Sequence, residues 1–455
     1  MNRREILALS GALAAATLAG CTDGEQTPSG AETPVDTPTE TPTEEPSTED
    51  PPTEEPPTGE PGVDDERLAA LAAGNAAFAL DLHKYLASEK ETNLFLSPYS
   101  VSAALAMTYA GARGETRKQM EDTLHYTLGE ELHPTFADVR AALDERETTE
   151  DQTNGEEVDA FQLAVANALW GREDYPFDED YLALLEEHYA AGLRRSDFGN
   201  DPDGERERIN DWVADATNDR IEDLLRPGSI TPATVLVLTN AIYFMASWQF
   251  EFDPQDTEDG TFTALDGSKS TVPMMHQNLR TNYASIPGAQ AIELPYVGEE
   301  VSMVLILPDE GEFEAVEQDL DADRLFGIFD ELSDAAGDLA LPKFEFETEA
   351  DLSKTLRELG MPVAFEGSAD FGGMVEGDAG DLWIDQITHK AFISVDEEGT
   401  EAAASTAVVM IESMPPDWGE LRFDRPFLFC IRDRPTDTVL FLGRVVDADA
   451  MQGDL

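Results

Sequence analysis

Apolar residues return at helical spacing over 66–88, where Leu68, Leu71, Ala72, Ala76, Phe78, Leu80 and Leu82 fall near one face and predict an amphipathic helix. A second helix is predicted from Ser97, whose hydroxyl suits an N-cap, with Pro98 in the first turn. Ala103, Leu105, Met107 and Ala110 make this helix apolar on nearly all sides, which places it in the centre of a core. The runs 235–244 and 301–308 read as strands from their β-branched and aromatic residues, and 426–431 reads as a buried strand. The polar segment 144–158 is expected to be a surface loop. Helical and strand patterns mix without regular β–α alternation, so the fold class is α+β. No second linker interrupts residues 64–450, which points to a single domain, with 451–455 a short tail.

One stretch near the C-terminus departs from these patterns. After the acidic Asp396-Glu397-Glu398 and Gly399 comes a run of small residues without proline. In an extended chain, alternate residues face opposite sides. The face Thr400, Ala402, Ala404, Thr406, Val408, Met410 carries no charge, whereas the other begins with Glu401 and continues Ala403, Ser405, Ala407, Val409. Such a segment suits a loop in one state and an inserted edge strand in another. The plain alternative for an alanine-rich run is a helix.

The first residues have a different character. Arg3 and Arg4 precede an apolar stretch too short to span a bilayer, which ends Leu18-Ala19-Gly20-Cys21. Paired arginines resemble a twin-arginine export signal, and Leu-Ala-Gly-Cys resembles a lipobox. Residues 1–20 are therefore expected to be a lipoprotein signal and Cys21 the lipid anchor. Residues 21–63 are rich in Thr, Pro and Glu and lack aromatics, so they cannot bury enough apolar surface to offset the entropy of ordering. A disordered stalk between membrane and domain is expected, with the domain on the extracellular face.

Charge extends this picture. The 455 residues contain 29 Lys and Arg against 95 Asp and Glu, a net charge of −66. Residues 22–65 account for 14 acids and no base, and the leader for one acid and two bases; 80 acids and 27 bases remain, a net −53 spread over the folded part. This balance excludes nucleic acid and anionic membrane faces as electrostatic partners. It is the composition of a halophilic protein, whose self-repulsion vanishes where molar salt shrinks the Debye length to about 3 Å. With 41% apolar residues, the core is sizeable. Of the two cysteines, Cys430 reads as a core residue, so there is no disulfide framework.

Candidate chemistry is sparse. There is no His-Glu-x-x-His, no Gly-x-Ser-x-Gly and no phosphate-cradling glycine loop. The six histidines show no metal-ligand spacing. The expectation is no enzyme, no cofactor and no metal.

Distant segments share one resemblance, in order along the chain. The segments 93–100, 165–170, 209–225, 239–244 with Trp248, 272–275, 293–296, 341–344, 389–391, 427–429 and 441–445 resemble the serpins, the serine protease inhibitors. In this resemblance 209–225 is the helix lying across the large sheet. Met245-Ala246 departs from the family's usual Lys-Gly. The resemblance implies three β-sheets surrounded by eight or nine helices and an exposed reactive-centre loop at about 397–420, in a monomer. Glu397, Gly399, Thr400, Ala402, Ala403 and Ala404 then form the loop hinge. Ser97, Ser100, Asn240 and His389, otherwise four unconnected polar residues, match the shutter, and Trp248 matches the breach. The implied activity is suicide trapping of a serine protease, with the cleaved loop inserting into the large sheet. Family spacing places the reactive bond at Ser413–Met414, with Glu412–Ser413 second; prolines at 415 and 416 disfavour cleavage further on. Ser413 suggests a subtilisin-like or elastase-like target. The alternative is a non-inhibitory surface lipoprotein of the same fold with a binding or structural role.

Overall fold

The computed structural model describes residues 63–150, 157–190, 192–377, 382–400 and 416–451. The first half contains α1 (Val63–Glu89), β1 (Leu94–Leu96), α2 (Pro98–Gly111), α3 (Gly114–Thr123), α4 (Leu132–Arg146), β2 (Thr148–Glu150), β3 (Glu157–Asp159), β4 (Phe161–Arg172), α5 (Glu179–Tyr189), β5 (Arg194–Ser196), α6 (Pro202–Ala216) and β6 (Leu236–Ser247). There follow β7 (Glu258–Thr263), β8 (Lys269–Ile286), β9 (Ala289–Pro295), β10 (Val301–Pro308), α7 (Phe313–Asp319), α8 (Ala322–Glu331), β11 (Ser333–Pro342), β12 (Phe344–Asp351) and α9 (Leu352–Leu359). The chain ends with β13 (Gln386–Val395), β14 (Gly399–Thr400), β15 (Asp417–Arg422), β16 (Phe427–Asp433) and β17 (Thr438–Val445).

Two large sheets organise this α+β domain. One has six strands in the order β12-β13-β6-β4-β5, with β14 added to β6; the other has nine, β1-β17-β16-β10-β9-β8-β11-β15, with β7 paired to β8. The pair β2 and β3 forms a third, two-stranded sheet. Helix α2 lies in the core against both large sheets, in contact with β4, β6 and β17. Its sequence permits this because almost every residue is apolar or small. Ser97 caps it as expected: its hydroxyl accepts the Ser100 amide, and Pro98 occupies the first turn. Strand β6 is buried along nearly its whole length, which explains its continuous apolar run.

Helix α6 crosses the outer face of the six-stranded sheet. Ile209 and Val213, one turn apart, pack with Trp170, Val237 and Ala241. This helix is shorter than the expected 209–225 region. It ends at Ala216, because Asn218 and Asp219 adopt positive φ (52° and 61°) and turn the chain back. Ile221, Leu224 and Leu225 are still buried in the same cluster, held by paired hydrogen bonds between Asn210 and the Leu225 backbone.

The segment expected to be a loop at 144–158 has more structure than that. Helix α4 runs on to Arg146, and Thr148–Glu150 pairs antiparallel with Glu157–Asp159. Thr148, Thr149 and Val158 are β-tolerant residues that a count of polarity alone overlooks.

Candidate functional site

Register aligns one polar residue from each of three neighbouring strands. Asn167 of β4 lies opposite Asn240 of β6, and Asn240 lies beside His389 of β13. The capped start of α2 meets this row from beneath. The Ser97 amide donates to His389 Nε2 at 3.2 Å, and the Ser97 hydroxyl donates to the Leu440 carbonyl at 2.7 Å. Asn240 Nδ2 donates to the Ser100 hydroxyl at 2.8 Å and to Asn167 Oδ1 at 2.6 Å. Asn167 Nδ2 donates to the Ser100 carbonyl at 3.0 Å. Because His389 Nε2 accepts, Nδ1 carries the proton and donates to Asn240 Oδ1. Burial pushes the His389 pKa down to about 3, so the ring is neutral. The structure thus joins Ser97, Ser100, Asn240 and His389 in one hydrogen-bonded cluster. It adds Asn167, whose only signal in the sequence is an amide between the apolar residues 163–166 and 168–170 of its strand.

Above this cluster the six-stranded sheet divides. Strands β6 and β13 run parallel and pair from Val237–Gln386 to Tyr243–Phe392. Beyond that point β13 pairs only with β12, up to Val395, while β6 continues to Ser247. Into the gap turns β14. Gly399 pairs with Ser247 and Thr400 with Ala246, antiparallel to β6. Thr400 is 1% exposed, and its hydroxyl lies 2.8 Å from the Tyr296 hydroxyl. Its side chain therefore points inward, the phase expected for the uncharged face of the run.

Trp248 holds the base of this turn. Its ring stacks on Tyr296 at 4.6 Å and 7°. The indole Nε1 donates to the Asp396 carbonyl and the backbone amide to the Glu398 carbonyl, both at 3.0 Å. The Phe252 amide bonds the Glu397 carbonyl at 2.9 Å. Glu397 is also fixed through its side chain, by Lys343 Nζ at 2.8 Å and the Thr257 hydroxyl at 2.6 Å. Burial works to raise the Glu397 carboxyl pKa, but these two donors outweigh it and hold the group below the ordinary carboxylate range. Neither Lys343 nor Thr257 stands out in the sequence as a partner of Glu397, because the contacts cross 54 and 140 positions.

Cys430 is fully buried on β16, and burial pushes its thiol up to about 12, so it is an inert core residue. No group of three metal-ligating side chains occurs among the described residues. Ala402, Ala403, Ala404, Ser413, Met414 and Cys21 lie outside the described residues.

Comparison with known proteins agrees with this geometry. Residues 73–448 match the family model of the serpins, serine protease inhibitors. An uncharacterized serpin-like protein of Thermococcus kodakarensis is 40% identical over 374 residues, 82% of this chain and 84% of its own length. The leukocyte elastase inhibitor of Sus scrofa is 37% identical over 385 residues, 82% of this chain and 98% of its own. Among solved structures, the thermophilic serpin tengpin in its native state is similar with a TM-score of 0.73 at 29% identity, covering 86% of this chain and 97% of its own. Uncleaved ovalbumin is similar with a TM-score of 0.72 at 28% identity, covering 83% of this chain and all of its own.

Proposed function

The chain belongs to the serpin family, and from that premise we propose that it is a cell-surface inhibitor of serine endopeptidases that traps its target by inserting its reactive loop. The observation that carries this reading is β14, seated antiparallel to β6 at the open end of the β6–β13 seam. Continuing its register, each inserted residue pairs with the next one down β6, and Thr406 arrives opposite Asn240. Insertion to that depth parts Asn240 from His389. The polar cluster is then the latch on the seam, stable closed because every member is satisfied. The run 400–406 contains one charged residue, Glu401, on the outward phase, and no proline, so nothing bulky obstructs entry.

Catalysis belongs to the target, not to this chain. The protease serine attacks the carbonyl carbon of the reactive bond, the new amine leaves with the C-terminal segment, and an acyl ester joins protease to inhibitor. The freed hinge then enters the seam and carries the protease with it. A ladder on the order of ten hydrogen bonds, each about 1 kcal/mol net, approaches the stability of a whole domain and suffices to distort the captured enzyme.

The finer parts of the reading rest on the sequence. We assign residues 1–20 to a twin-arginine lipoprotein signal, Cys21 to a lipid anchor, 21–63 to a stalk and 64–450 to the inhibitor domain, in a halophilic archaeal protein facing the exterior as a monomer. The reactive bond is Ser413–Met414, and the target is a subtilisin-like protease.

The test is to mix the chain with subtilisin and with elastase in molar salt and analyse the products by denaturing gel and mass spectrometry. A covalent complex with release of a fragment beginning at Met414 is expected. A fragment beginning elsewhere moves the reactive bond. Cleavage without a complex by both enzymes sinks the inhibitory reading in favour of a binding or structural role.

A further inference from the structure

The middle of β8 has one open edge. On one side β8 is paired with β11 from Met274 to Tyr283. On the other side β7 pairs with it only up to Met274, and β9 only from Asn282 onwards. Between these two partners, residues 275–281 have no strand on that side among the described residues. A cleft of about 640 Å³ lies at this gap, a volume within the range of small-molecule sites. The chain that follows β6 supplies one wall. Gln277 Nε2 donates to the Phe250 carbonyl at 3.4 Å and to the Glu251 carbonyl at 2.8 Å, which fixes Phe250 in the lining, and Pro295 adds further apolar surface.

Side chains two residues apart share one face of a strand, about 7 Å from each other. Asn278, Arg280 and Asn282 therefore form a row along the cleft. A carboxylate holds each of them. Asn278 Nδ2 donates to Asp338 Oδ1 at 2.8 Å, Arg280 Nε and Nη2 donate to Asp334 at 2.6 and 2.5 Å, and Asn282 Nδ2 donates to Glu293 Oε2 at 2.8 Å. An ionised carboxylate only accepts, so both amides are locked with the nitrogen on the acid, and neither Oδ1 accepts a hydrogen bond among the described residues. Arg434 also lines the cleft. Its Nη1 donates to the Glu299 carbonyl at 2.8 Å and its Nε lies 3.5 Å from Glu293, while Nη2 donates to no described residue. Glu293 is buried and paired with Arg432 at 2.8 Å.

This inventory selects the ligand. Charge is balanced in pairs, so neither ion gains by entering. An anion meets two amide oxygens in a chain of net charge −66, and a cation meets Arg280 and Arg434 while Asp334 and Glu293 already hold guanidinium groups. The uncommitted groups are amide oxygens and guanidinium N–H groups in one row, and a hydroxyl, which both donates and accepts, satisfies either kind. From Asn278 to Asn282 the row spans about 13 Å, room for two linked sugar rings. Phe250 offers an aromatic face to the C–H groups of a ring. Hydrogen bonds to a neutral partner also persist where molar salt screens charge. We propose that this cleft binds a neutral saccharide, with its hydroxyls on Asn278, Arg280, Asn282 and Arg434 and one ring face on Phe250. The site owes nothing to loop insertion and goes beyond the inhibitory reading.

Calorimetric titration of the full chain in molar NaCl with maltose, cellobiose and lactose tests the site. Saturable binding of at least one of them is expected, with a Kd below about 1 mM. The uronic acid form of that disaccharide, in which a C6 carboxylate replaces the hydroxymethyl group, should bind at least tenfold more weakly. Asn278 is exposed, so the thermal melt should be retained when Asn278→Ala weakens binding at least fivefold and Asn278→Trp, which fills the cleft, abolishes it. No saturable heat with any of the three sugars, equal binding of the neutral and uronic forms, or titrations unaltered in both variants overturns the proposal. Amide hydrogen exchange of residues 276–282 in the wild-type chain locates the ligand without any variant. At least tenfold slower exchange at saturation is expected, and unchanged exchange overturns the assignment to this cleft. None of these readouts involves a protease, so failure of the inhibitory reading appears separately, as cleavage without a complex.

Discussion

His389 sits at the centre of the polar cluster and has two neutral hydrogen bonds and no counter-ion among the described residues. Its folded pKa of about 3 lies far below the value near 6.5 of an exposed imidazole. Between those values the unfolded chain takes up a proton that the folded chain refuses, so this contribution to stability is complete above pH 6.5 and is lost as pH falls towards 3. His133, pushed down to about 4 mainly by burial and then by His188, acts in the same direction. Denaturant melts between pH 7.5 and 5 in constant molar salt are expected to lose stability on acidification, approaching about 1.4 kcal/mol per pH unit for each histidine. His389→Gln should remove one histidine's share of that slope. An unchanged slope in the variant would mean that His389 is charged in the fold.

At the scale of elements, the decisive object is the two-residue strand β14. It is anchored on one side by Trp248 and the Glu397–Lys343 ion pair, and on the other by the Thr400 hydroxyl against Tyr296. Thr400 is 1% exposed with its hydroxyl against Tyr296, so an arginine side chain cannot enter that space without displacing its neighbours. Thr400→Arg should leave the loop cleavable but prevent entry of the hinge. The expected outcome is a shift of at least tenfold from covalent complex to cleaved product, read from gel band ratios. Retention of the complex at the wild-type ratio would show that insertion does not start at Thr400. The same logic applies to cleavage itself: when a protease that is not captured cuts the loop, thermal stability should rise markedly, because the added ladder is on the order of 10 kcal/mol. A cleaved chain that melts with the intact one would show that no strand is added.

Over the whole molecule, charge sets the conditions. A domain near −53 with few bases has the buried Arg432 and Arg444 committed to Glu293 and Glu317, and the half-buried Arg146 to the buried Asp433. These pairs are shielded from salt, whereas most of the acids face solvent and repel one another. Dilution from molar salt to about 0.1 M lengthens the Debye length from about 3 to about 10 Å, so the melting temperature should fall steeply. A flat salt dependence would show that the surface charge is already balanced by the fold.

Several features were legible in the chain because their causes are local. The Ser97 cap, the all-apolar α2, the strand at β6 and the inward phase of Thr400 each follow from periodicity, side-chain shape or β-propensity along a few neighbouring residues. The order of serpin-like segments was legible for another reason, since it is a property of the chain read end to end. What could not be read there depends on residues brought together from far apart. Asn167 joins the cluster because register aligns β4, β6 and β13; Glu397 is held by Lys343 and Thr257; and α6 stops at Ala216 because Asn218 and Asp219 turn left-handed and send Ile221 back to the sheet. A linear pattern records which face of an element is apolar, but not which partner meets that face. Only closure of the sheets supplies the partner, and with it the polar cluster and the gap between β6 and β13 that β14 enters.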